Sequence, residues 1–163
     1  MKKNKNSLLL DIGWCEWVSF PALKIPAIEA QVVMDSKQSI LNIFDFSTFK
    51  EGEDLMISFG VHPIQDNSDV EVYSVIPVKT RKLISFADGD REWCYVIETE
   101  MRIGSMKKNI DLTLVNREES TFRLHLAPQT IKSLVKVNPQ KSYLTGEILN
   151  NYSFSPSLSD VKS

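Results

Sequence analysis

The chain has 163 residues, 42% hydrophobic and 25% charged, which is the balance of an ordinary globular domain and excludes a disordered chain, a collagen and a coiled-coil rod. Its 19 basic and 21 acidic residues leave a net charge of −2, which argues against a protein built to coat nucleic acid. No apolar run reaches the roughly 18–20 residues that a membrane helix needs, so neither nucleic acid nor membrane is an expected partner.

At the start, Lys2, Lys3 and Lys5 precede Leu8, Leu9 and Leu10, and Asp11 then ends the apolar run. A signal-peptide core needs about 7–15 apolar residues. Residues 1–8 therefore read as a solvated basic tail, and the expected compartment is the cytoplasm. Trp14 and Trp17 bracket Cys15 and Glu16. On a regular strand the two indoles face opposite sides, one toward the core and one toward an interface. Cys15 and Cys94 lie in no CxxC and read as reduced thiols.

Strand signals dominate the middle of the chain. Val70 to Ile76, Trp93 to Thr99 and Ile110 to Val115 alternate with period two and are rich in β-branched residues. Turn residues separate them at 66–69, 88–90, 104–105 and 116–119. Met101 to Ile110 reads as a hairpin turning at Gly104. The one helical candidate is Pro128 to Val135, with Ile131, Leu134 and Val135 on one face. The segment after Asn150 is rich in Ser and Asn and has no period, so disorder is expected there. The reading is all-β with one short helix, folded as a barrel or sandwich. One domain over 9–146 follows the basic tail and precedes a Ser/Asn-rich tail over 147–163.

Chemistry is sparse. The two histidines, His62 and His125, lie far apart and join no ligand set, so no metal and no other cofactor is expected. His62 reads as a hydrogen-bonding loop residue and His125 as a satisfied core or edge residue. Phosphate-cradling and nucleophile-elbow motifs are absent. Lys79-Thr80-Arg81-Lys82 is a compact basic run, either a solvated face or a contact for a polyanion or acidic peptide.

Several segments, in order, resemble a known bacterial family. They are Gly13-Trp14-Cys15-Glu16-Trp17-Val18 with Ile25 to Val32; Phe59-Gly60-Val61-His62-Pro63; Pro77-Val78 with Arg81-Lys82; Tyr95-Val96-Ile97; Leu112 to Arg117; and Val137-Asn138-Pro139 with Ser142-Tyr143-Leu144. Together they resemble the retropepsin-like aspartic endopeptidase domains, often labelled "ATP-dependent zinc protease" and found near ATP-grasp ligases that act on ribosomal protein tails. The resemblance implies a closed acid-peptidase-like β-barrel that dimerises, each chain supplying one aspartate of a proton-sharing dyad.

The family's catalytic half-site is Asp-Thr-Gly-Ala, followed by a Lys/Arg-Thr-Ser-Ala-Leu-His run. Laid on without a gap, Ala30, Val32, Lys37, Ser39 and Leu41 fall on family positions. The catalytic aspartate then falls on Val33, the threonine on Met34, the glycine on Asp35, and Asn42 replaces the histidine. An alignment shifted by two makes Asp35-Ser36-Lys37 the triplet and keeps Asp35 as the catalytic acid. It puts Lys37 where glycine belongs, at a conformational cost of roughly 1 kcal/mol. The family's Leu-Leu-Gly-Arg brace falls on His125 to Pro128, with Ala127 and Pro128 in place of Gly and Arg. The expectation is a degenerate, peptide-binding or partner-pairing member, a homodimer or a heterodimer with an intact homologue. Ser36, Ser39, Asn42, His62 and Arg81 are candidate cleft or contact residues. The alternative is an active endopeptidase whose dyad is Asp35 from two subunits.

Overall fold

The computed structural model of the chain describes residues 9–117 and 121–146. The expected tails, 1–8 and 147–163, lie outside these residues. Twelve strands run among the described residues: β1 (Leu10–Ile12), β2 (Cys15–Phe20), β3 (Ile25–Val32), β4 (Ser39–Asn42), β5 (Phe44–Glu51), β6 (Asp54–Val61), β7 (Val72–Pro77), β8 (Thr80–Ser85), β9 (Arg91–Ile103), β10 (Met106–Val115), β11 (Leu124–Leu126) and β12 (Val135–Val137).

Six strands close a barrel in the order β10, β4, β11, β3, β2, β9, with β9 returning to β10 and β8 added outside β9. The β9–β10 hairpin is its longest ladder, and it turns at Gly104, whose φ of +54° suits a residue without Cβ. The short strand β11 lies between β3 and β4, parallel to the first and antiparallel to the second. Closure removes the open edges that β3 and β4 would otherwise leave. Alternate residues fill the interior: Phe20, Ile28, Leu41, Ile97, Met101 and Leu112 are fully buried there. The sheet β5–β6–β7 packs Ile57 and Phe59 onto this core, while β5 from residue 45 to 51 stays exposed.

A second buried element ties the ends of the domain together. β1 pairs in parallel with β12. Glu16 is fully buried on β2, and its carboxylate accepts hydrogen bonds from the backbone N–H of Gly13 (2.7 Å), Leu144 (2.8 Å) and Thr145 (3.1 Å) and from the Thr145 hydroxyl (2.7 Å). A Cβ on Gly13 would stand 2.0 Å from the Lys141 carbonyl oxygen, so glycine is required at that crossing.

Two expectations are corrected. The helix over 128–135 shrinks to one 3-10 turn, Pro128–Ile131. Val135 instead pairs with Leu10 in the β1–β12 sheet, so tertiary pairing overrides the local period. Neither indole enters the core. Trp14 precedes β2, is 42% exposed and meets the Phe122 ring edge-on, while Trp17 lies against Tyr143. A bend at Trp14 breaks the regular strand on which the two-face reading depended.

Candidate functional site

The segment joining β3 to β4 carries the residues that the resemblance aligns with the family's catalytic triplet. β3 ends as the Val33 N–H donates to the Leu126 carbonyl at 2.9 Å. The Ser36 N–H then donates to the Val33 carbonyl at 3.2 Å, closing a tight turn with Met34 and Asp35 at its corners. Met34 is 55% exposed, Asp35 is exposed, and Val33 is partly buried. Asp35 makes no hydrogen bond or ion pair among the described residues.

The turn is held from behind by β11 and the 3-10 turn. The Ala127 N–H donates to Ser39 Oγ at 3.0 Å in a buried contact, and Gln129 Nε2 donates to the Ser36 carbonyl at 3.1 Å. Ser36 Oγ donates to the Gln38 carbonyl at 2.8 Å. Ala127 has extended dihedrals, φ −92° and ψ 108°, so the backbone asks for no glycine there. Pro128 opens the 3-10 turn, a position whose N–H needs no partner. Lys37 is not among the non-glycine residues with positive φ, so the strain expected of it under the shifted alignment does not arise.

Val33, Met34, Asp35, Ser36, Ser39, Ala127 and Pro128 thus share one locus. The other candidates do not. Asn42, buried at the far end of β4, points Nδ2 at the carbonyls of Phe122 and Arg123, each 3.4 Å away. His62 follows β6, stacks on Phe44 with ring centroids 4.1 Å apart, and faces Glu71 at 3.5 Å. These contacts anchor it to β5 and to the segment before β7. Arg81 on β8 lays its guanidinium over the Trp93 ring at 5.1 Å. His125 pairs with Gln31 and Ile40, and burial lowers its pKa. Burial also raises the thiol pKa of Cys15 and Cys94, and both are free thiols.

A further cluster went unread in the sequence. Arg117 reaches Glu92 (3.0 Å), Asp88 (3.4 Å) and Asp90 (3.5 Å) and lies 3.7 Å over the Phe86 ring, fastening the β8–β9 turn to the end of β10. Its hydrogen bond to Glu92 raises its pKa. The acidic spacing around Gly89 was the available signal. Among the described residues no group of three or more His, Cys, Asp and Glu is arranged to hold a metal ion, and no helix is long and apolar enough to cross a membrane.

With this geometry in view, residues 12–147 match the family model described as the retropepsin-like aspartic endopeptidase RimB. The chain belongs to the RimB-like family. Similar curated proteins are each named probable alpha-L-glutamate ligase. The one from Shewanella pealeana is 32% identical over 136 residues, which is 83% of this chain and 30% of that protein. The one from Parasynechococcus marenigrum is 33% identical over 137 residues, 84% of this chain and 29% of that protein. The chain thus spans less than a third of the length of these relatives. A Legionella pneumophila protein of unknown function has a similar fold, with a TM-score of 0.68 at 14% identity over 83% of this chain and 98% of that one. The RimB-like match takes in both the Glu16 clasp and the Val33–Ser36 turn.

Proposed function

We propose that this chain is a non-cleaving RimB-like domain that binds an extended peptide and pairs with a second retropepsin-like chain. The turn carries the reading. Under the gap-free alignment its first residue, Val33, stands at the acid's position, and a valine cannot donate, accept or ionise. Ser39 and Leu41 support that alignment, since one braces Ala127 and the other enters the core. Asp35, at a corner of the turn, stands in solvent without the hydrogen bonds that orient a shared-proton dyad. The longer relatives are named probable alpha-L-glutamate ligase, which adds to the reading a setting beside a glutamate ligase.

The purified chain is incubated with a peptide library between about pH 3 and pH 8, the range in which a carboxylate dyad shares a proton. No hydrolysis is expected. Cleavage abolished by Asp35→Asn in a still-folded protein overturns the reading in favour of an Asp35 dyad built from two subunits. Light scattering checks pairing, with a dimer expected either alone or on mixing with a homologue that carries Asp-Thr-Gly.

A further inference from the structure

The peptide-binding reading leaves open where a peptide would lie, and β8 offers a place, its Leu83, Ile84 and Ser85 sharing a pocket with Ser36, Lys37 and Gln38 of the turn segment. β8 is the terminal strand of its sheet. One side is bonded to β9, and among the described residues no strand covers the other. Such an edge presents a row of N–H and C=O groups to an incoming strand.

The side chains along that edge are selective. Arg81 stands opposite Tyr95 and Leu83 opposite Trp93, so these four share a face. Leu83 is 39% and Trp93 60% exposed, which makes an apolar step in solvent. Beside it, Trp93 and Tyr95 help to wall a cavity of about 230 Å³ lined also by the apolar Phe46, Ile57 and Leu114 and by the polar Glu92 and Asn116. Lys82 projects from the other face, opposite Cys94. Lys79 is already held by Asp111 at 2.8 Å and Glu98 at 3.6 Å. Arg81 and Lys82 form no ion pair among the described residues, and β8 contains no carboxylate.

We infer that the open edge of β8 binds an extended polypeptide segment as an added antiparallel strand, with a large apolar residue opposite Leu83 followed by two acidic residues opposite Lys82 and Arg81. Charge complementarity selects this occupant, because opposite charges directly across a ladder attract and like charges repel. The same rule disfavours a second copy of β8, which would bring the cations of both copies together. This inference rests on the peptide-binding reading but does not require that the turn be inert.

The test uses the full chain and a fluorescein-labelled peptide with a Leu-Glu-Glu core flanked by Ser and Thr, read by anisotropy. Saturable binding is expected that weakens with added salt and falls at least about tenfold when the core is backbone N-methylated or replaced by Leu-Lys-Lys. The double variant Arg81→Glu with Lys82→Glu, its fold checked by circular dichroism, is expected to reverse the preference and bind the Leu-Lys-Lys peptide. Leu-Glu-Glu affinity unchanged in that variant, or no binding by the parent chain, overturns the proposal. If a random peptide library still yields binders indifferent to both substitutions, the edge is the wrong place and peptide binding stands. If the library yields none, both readings fall.

Discussion

Glu16 and Asp35 are carboxylates at the two ends of the β2–β3 hairpin region, and the fold treats them in opposite ways. Glu16 has no exposed surface and meets four donors. Asp35 lies in solvent at the corner of a turn that backbone bonds already close. A buried carboxyl group is tolerated only when its oxygens are hydrogen-bonded, so Glu16 and its donors form one unit with Gly13 and the 141–145 segment. The turn makes no such demand. Its shape rests on Val33, Leu126, Ser39 and Gln129, and the residue at 35 is free to vary chemically. The frame of the fold is therefore held by a buried acid, and the exposed Asp35 takes no part in it.

That contrast is open to direct attack. The largest effect is expected from Glu16→Gln, which turns an amide N–H₂ toward N–H and O–H donors. A loss of about 2–4 kcal/mol in urea unfolding is expected, since one or two buried donors lose their acceptor at about 1–3 kcal/mol each. Gly13→Ala should act on the same unit with a comparable loss, because its methyl meets the Lys141 carbonyl. Next comes Ser39→Ala. It strands the buried Ala127 N–H and should cost about 1–3 kcal/mol, with the turn loosened as read by faster amide exchange at Val33 and Ser36.

A smaller effect belongs to His125. Burial lowers its pKa below the ordinary histidine value, so the unfolded chain binds the proton more readily than the folded one. Stability from this residue is intact above about pH 6.5 and declines as the pH falls below that value. Asp88 and Arg117 line the same cavity and remain charged through that window. Denaturation midpoints measured from pH 7.5 down to about 5 should slope in the parent and flatten in His125→Asn. The smallest effect is expected from Asp35→Asn, within about 0.5 kcal/mol of the parent, as for an exposed side chain without partners. A loss well beyond that would show that the turn depends on this carboxylate and would erase the contrast with Glu16.

Much of the frame was legible in the sequence because it is local. The period-two runs over 93–99 and 110–115 and the glycine at 104 describe one hairpin, and β9 and β10 form it. The β7 run was read two residues early, since Val70 is buried outside the ladder. What stayed hidden depends on residues distant in sequence. Nothing near Val135 announces Leu10 as its partner, so a helical face was read there. The burial of Glu16 was not legible because three of its four hydrogen bonds come from Leu144 and Thr145, 128 and 129 positions away. The turn at 33–36 entered the reading only through the resemblance, as the place of the family's catalytic triplet. Which of its residues matter chemically is a question of exposure and bracing, and both are set by β11.

The placement of β11 also governs how the chain reaches its fold. Residues 124–126 enter a slot whose walls, β3 and β4, are made some eighty to a hundred positions earlier. During synthesis the walls must wait with unpaired edges until the third side of the slot emerges. The hairpins β5–β6 and β9–β10 can form as soon as each is exposed, so the expected order is local ribbons first and barrel closure last. A chain truncated before Leu124 would keep most of its strands and still lack the strand that closes the barrel. It would expose apolar edges, which are the usual seeds of aggregation.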